Sequence, residues 1–108
     1  MNLPTEIFGD VLVVHAPDQL NEELSAKVRQ FLQAQEHTKV IIDLDGVESI
    51  DSIGLSALLD AQDDLRAGHG DLKLISGSLV NRKILEITRL DQYLDVFDSV
   101  IDAVKSFV

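Results

Sequence analysis

The chain has 108 residues, 45% of them hydrophobic and 26% charged, which is the size and apolar content of one globular domain spanning residues 1–108. Nineteen Asp and Glu against nine Lys and Arg give a net charge of −10, so the mean field repels phosphate backbones and anionic lipid, and nucleic acid is not an expected partner. With no cysteine, a disulfide scaffold, a thiolate nucleophile and cysteine-ligated zinc or iron–sulfur centres are excluded.

In chain order, Thr5 to Phe8 and Val11 to Val14 are two short β-prone runs around the turn signal Gly9-Asp10, which predicts a hairpin. After the breaker Ala16-Pro17-Asp18, the apolar residues Leu20, Leu24, Val28, Phe31 and Leu32 fall at helical spacing and predict a helix from about Asn21 to Gln35. Val40-Ile41-Ile42 predicts a buried strand that ends in the acidic turn Asp43, Asp45, Gly46. Asp51 and Ser52 are candidate N-caps for a second helix with Leu55, Leu58, Leu59 and Leu65 inward, ended by Gly68-His69-Gly70 where glycine can turn left-handed.

Leu72 to Ile75 predicts a further strand, and Ser76-Gly77-Ser78 opens a third helix with Val80, Ile84 and Ile87 inward. Tyr93 to Phe97 holds a last strand, and Asp98-Ser99 cap a last helix with Ile101, Val104 and Val108 inward. Strands alternating with helices imply an α/β fold, a mainly parallel mixed sheet with an N-terminal β-hairpin and four helices. The working surface then lies at the carboxyl ends of the strands, an edge that contains Asp18, Asp43, Asp45, Asp51 and Ser52. No stretch approaches the roughly 20 apolar residues needed to span a bilayer, so no membrane insertion is expected. Met1 to Glu6 lacks the basic-then-apolar pattern of a secretory signal, so the cytoplasm is the expected location.

Little here suggests catalysis or a cofactor. His15, His37 and His69 are not spaced as metal ligands or triad members, and no glycine-rich phosphate loop lies between a strand and a helix. Asp43, Asp45 and Asp51 could together hold Mg²⁺ through oxygen ligands, as in a phospho-accepting receiver or a metal-dependent hydrolase. A receiver also needs an acidic pair after the first strand and a lysine after the last, and Val14-His15-Ala16 and Phe97-Asp98 supply neither. Asp terminating a strand and capping turns is the simpler reading, so no metal site is expected. Ser52, taken alone, is most simply an N-cap whose hydroxyl accepts an amide hydrogen bond one turn on.

The stretch Ile50-Asp51-Ser52-Ile53-Gly54-Leu55, preceded by Val40 to Val47, resembles the signature of STAS domains, and among them the SpoIIAA-like anti-sigma factor antagonists, whose hallmark is Asp-Ser-x-Gly-Leu at the start of the second helix. Asp18 matches the family's Leu-Asp before the first helix, with Pro17 in place of the leucine. Leu74 to Val80 with Leu85 to Leu90, and then Asp91 to Val104, resemble its later elements. The resemblance implies a single STAS domain that binds an anti-sigma factor serine kinase and is switched off by phosphorylation of Ser52. It further implies a partner-binding edge of Asp18, Asp43, Asp45, Asp51, Ser52, Ile53, Gly54 and Leu55, no cofactor, and no catalysis by this chain, since the kinase supplies ATP, Mg²⁺ and base. Gly54 is expected to leave little bulk in the way of an approaching kinase. Ile53 departs from the second serine or small residue of many regulated antagonists. STAS-only subunits of phospholipid-trafficking ABC transporters, MlaB-like proteins that bind an ATPase, are the alternative within the fold, and a small-molecule binding domain ranks below both.

Overall fold

The computed structural model describes residues 3–107. Strand β1 (Thr5–Phe8) folds back on β2 (Val11–His15), with Gly9 at φ 63° in the turn, a conformation in which glycine carries no Cβ penalty. The short β3 (Gln19–Leu20) leads into α1 (Glu22–Gln33), which Asn21 caps by accepting from the Leu24 amide at 3.0 Å. Next come β4 (Lys39–Asp43), the two-residue β5 (Ser49–Ile50) and α2 (Ser52–Ala67). Then follow β6 (Asp71–Ile75), α3 (Leu79–Ile87), a 3₁₀ turn at Leu90–Gln92, β7 (Asp95–Phe97) and α4 (Val100–Lys105). The main sheet has the order β1-β2-β4-β6-β7, antiparallel only between β1 and β2.

Every parallel connection is a crossover, and the period-two alternation of the strands divides the core between two faces. Leu12, Val14, Val40, Ile42, Leu72 and Leu74 pack with Val28 and Leu32 of α1, Leu58 and Ala61 of α2 and Leu85 of α3. Val11, Val13, Ile41 and Ile75 pack instead with Ala103 of α4 and the half-buried Val100, Val104 and Phe107. Lys73 shares that second face. Its ammonium is taken up by the Ser106 carbonyl at 3.1 Å and hydroxyl at 2.7 Å, above the Phe107 ring at 4.4 Å, so a buried charge ties α4 to the sheet.

Away from the carboxyl edge of the sheet, the structure departs from the sequence expectations in the later helices and the last strand. Helix α3 turns Asn81 and Leu85 inward and leaves Val80 and Ile87 exposed, because the Asn81 amide donates to the carbonyls of Val47 at 3.0 Å and Leu44 at 3.4 Å and holds the post-β4 loop. Helix α4 buries Ala103 and leaves Ile101 65% exposed; Val108 lies outside the described residues. At the end of α2 the left-handed residue is His69, at φ 65°, and not Gly68. Gly70 is required for another reason, since a Cβ there would meet the Thr38 backbone. The last strand is three residues long because Tyr93 and Leu94 belong to the turn before it.

Candidate functional site

At the carboxyl edge of the sheet, two loops are stitched together by a two-stranded parallel pairing that the sequence did not announce. Gln19-Leu20 pairs with Ser49-Ile50, the Asp18 carbonyl accepts from the Glu48 amide at 2.6 Å, and the Leu20 carbonyl accepts from the Asp51 amide at 3.2 Å. The Asp18 loop is thereby fixed beside the start of α2.

Asp51, in an extended conformation, is the N-cap: its carboxylate accepts from the Gly54 amide at 2.8 Å. Ser52 is therefore the first residue of the helix rather than its cap. It is exposed, and among the described residues its hydroxyl has no hydrogen-bond partner and the Ser52 and Ile53 amides have no acceptor within the chain. These are free donors at a positive helix terminus.

Gly54 faces inward. A Cβ there would fall inside contact distance of the Leu20 carbonyl oxygen and within 2.9 Å of the Leu20 Cβ, so the glycine is needed to seat α2 against β3, and the space it leaves is already filled by this chain. Leu55 is half-buried against the main core. Ile53 points the other way, 47% exposed. With Ala26 and Ala57 it lines the apolar part of a groove of about 500 Å³ between α1 and α2, flanked by Glu22, Arg29 and Asp60.

Asp43 and Asp45, like Asp51, are occupied by structural bonds, whereas Asp18 takes part through its backbone carbonyl. Asp43 accepts from the Asp45 amide at 2.9 Å and meets His15 Nδ1 at 2.9 Å, while the other nitrogen of His15 lies 3.0 Å from Glu6. Asp45 accepts from the Gly77 amide at 2.6 Å, linking the loops after β4 and β6. Among the described residues no three such side chains gather as a metal site. His15 was passed over in the sequence because its carboxylate partners, Glu6 and Asp43, become neighbours only through the β1-β2-β4 register. What the edge offers is a hydrogen-bonded polar rim, one unengaged hydroxyl at a helix terminus and one exposed isoleucine.

Residues 2–103 match the family model of the STAS domain, and the chain belongs to that family. A Thermotoga maritima protein, provisionally named an anti-sigma factor antagonist, is 24% identical over 106 residues, 94% of each chain. Its crystal structure superposes with a TM-score of 0.84, covering 96% of this chain and 92% of that one. The phosphorylated form of the Bacillus cell-fate determinant SpoIIAA superposes at 0.72 with 18% identity, covering 99% of this chain and all of SpoIIAA. A sulfate transporter family protein of Wolinella succinogenes superposes at 0.81 with 20% identity over 94% of this chain and 87% of that one. The STAS architecture is common to all of these. Among the described residues, no helix is long and apolar enough to cross a membrane.

Proposed function

We propose that this chain is an anti-sigma factor antagonist, that its partner is an anti-sigma factor serine kinase docking on the edge around Ser52, and that phosphorylation of Ser52 releases the partner. The supporting observation is the division of labour at the start of α2. Asp51 makes the capping bond, so the Ser52 hydroxyl is exposed, unengaged and available to a kinase without cost to the helix. A full-length Thermotoga relative with an antagonist's name supports the same reading.

A phosphoryl group at Ser52 adds about −1.5 to −2 charges at pH 7. The free amides of the helix terminus favour that anion, while the adjacent Asp51 and the net charge of −10 oppose it. The fold therefore changes little and the effect falls on the interface, where a neutral hydroxyl is replaced by a group that is costly to desolvate against a partner. Asp18, Asp43, Asp45 and Gly54 act in this reading by holding the edge in shape, and Ser52 and Ile53 by touching the partner. The chain itself donates no catalytic group.

The test is to incubate the protein with the anti-sigma kinase of its own host and Mg-ATP, and to follow intact mass, peptide map and affinity. One phosphoryl group at Ser52 is expected, none in Ser52→Ala, together with at least a tenfold loss of affinity in Ser52→Asp. An unmodified chain whose Ser52→Asp variant keeps full affinity would sink the proposal. Stable co-purification with a transporter ATPase, indifferent to Ser52→Asp, would point instead to a constitutive transporter subunit.

A further inference from the structure

Helix α3 presents its apolar residues to the outside. Leu79, Val80 and Ile87 are 86%, 68% and 70% exposed, and the half-buried Ile84 falls between Val80 and Ile87 at spacings of four and three. Scattered exposed aliphatics are ordinary, but a continuous stripe along one short helix marks a contact surface. The charge there is also unlike the rest of the molecule. From Leu79 to Arg89 the chain carries Arg82, Lys83 and Arg89 against the single acid Glu86, in a protein of net charge −10. Arg82 is paired with Asp98, whereas Lys83 and Glu86 have no ion-pair partner among the described residues. On this locally basic face two copies of an acidic protein meet with less repulsion than the net charge alone would give.

We propose that α3 is a homodimer contact, in which a second copy lays its own α3 antiparallel across this one about a two-fold axis near Ile84. Such an axis sets Val80 against Ile87 of the second copy, Ile87 against its Val80, and the two Ile84 side chains against each other. The nearly symmetric spacing makes one surface complementary to itself, as an isologous contact requires. On the rim of the seam, Lys83 comes opposite Glu86 of the second copy, so each unpaired charge finds a counterpart and the pair forms twice. A groove of about 560 Å³ beside Leu79, Val80 and Lys83 receives the incoming side chains. A nine-residue helix and its flanks cover less than the roughly 800 Å² per partner of a standard interface, so the dimer is a weak one. The proposal stands independently of the role given to Ser52.

Sedimentation velocity between about 5 µM and 1 mM tests it, with unfolding midpoints as a check that each variant is folded. A concentration-dependent monomer–dimer equilibrium is expected for the parent. Lys83→Glu and Glu86→Lys are each expected to weaken it several-fold, and the double variant, with the parent's net charge, to restore it. Val80→Asp combined with Ile87→Asp is expected to leave a folded monomer at the highest concentration. A parent that stays monomeric, a dimer unmoved by the paired aspartates, or a double charge swap that restores nothing would each overturn the proposal.

Discussion

Asp51 and Ser52 are adjacent, polar and both able to cap a helix, and only the backbone decides between them. Asp51 is extended and accepts from Gly54, which leaves Ser52 with no part in holding α2. Asp51→Ala is therefore expected to cost about 1 kcal/mol, while Ser52→Ala stays within about 0.5 kcal/mol of the parent; urea denaturation of the two variants measures the difference. Gly54→Ala is the sharper perturbation, because the added methyl meets the Leu20 backbone rather than a movable side chain. A loss of about 1–3 kcal/mol is expected, as for overpacking elsewhere, with amide shifts spreading to Gln19 and Leu20 in two-dimensional NMR. The motif Asp-Ser-x-Gly was legible in the sequence, but not the duty of each member. Which residue caps and which way the glycine faces depend on a contact with Leu20, 34 positions away.

At the level of elements, strands and helices were legible wherever burial and periodicity agree. β2 and β4 carry unbroken β-branched or aliphatic runs, β1 carries Ile7 and Phe8 beside Glu6, β6 carries aliphatic residues on either side of Lys73, and α1 and α2 carry their stripes toward a crowded sheet face. Helices α3 and α4 were legible as helices but not in orientation. Val80, Ile84 and Ile87 have the spacing of a buried stripe, yet the inward position goes to Asn81, whose two hydrogen bonds to Leu44 and Val47 no hydrophobic pattern records. The two-residue strands β3 and β5 are too short to leave a period at all. Within α2, Leu58 is 3% exposed while Leu59 only flanks the core. Leu58→Ala is accordingly expected to cost about 2–5 kcal/mol, and Leu59→Ala less than half as much, by the same denaturation measurement.

For the molecule as a whole, the balance of charge sets how stability responds to acid. Nineteen carboxylates repel one another at neutral pH, so protonation relieves part of the net −10 while it also breaks the pairs that favour the fold. The clearest pair lies across the two helices that build the site: Arg29 of α1 donates to Asp64 of α2 at 3.0 and 3.2 Å. The Arg29 guanidinium holds the Asp64 carboxyl below its ordinary value, with a smaller contribution from Gln33. A carboxyl whose pKa is lower folded than unfolded stabilises the fold above its unfolded pKa and loses that contribution as pH falls through the folded value. Asp64→Asn is thus expected to unfold at lower urea than the parent at pH 7, and the gap is expected to narrow as pH falls below the ordinary Asp value of about 3.9 and to close only once the parent's lower-titrating carboxyl is itself protonated. The general repulsion differs between the two proteins by the one charge removed from a net −10, which favours the variant, so a gap in the parent's favour reports the helix–helix pair. A gap that stays constant from pH 7 to pH 2 would mean that Asp64 acts through packing or the Gln33 contact and not through its charge.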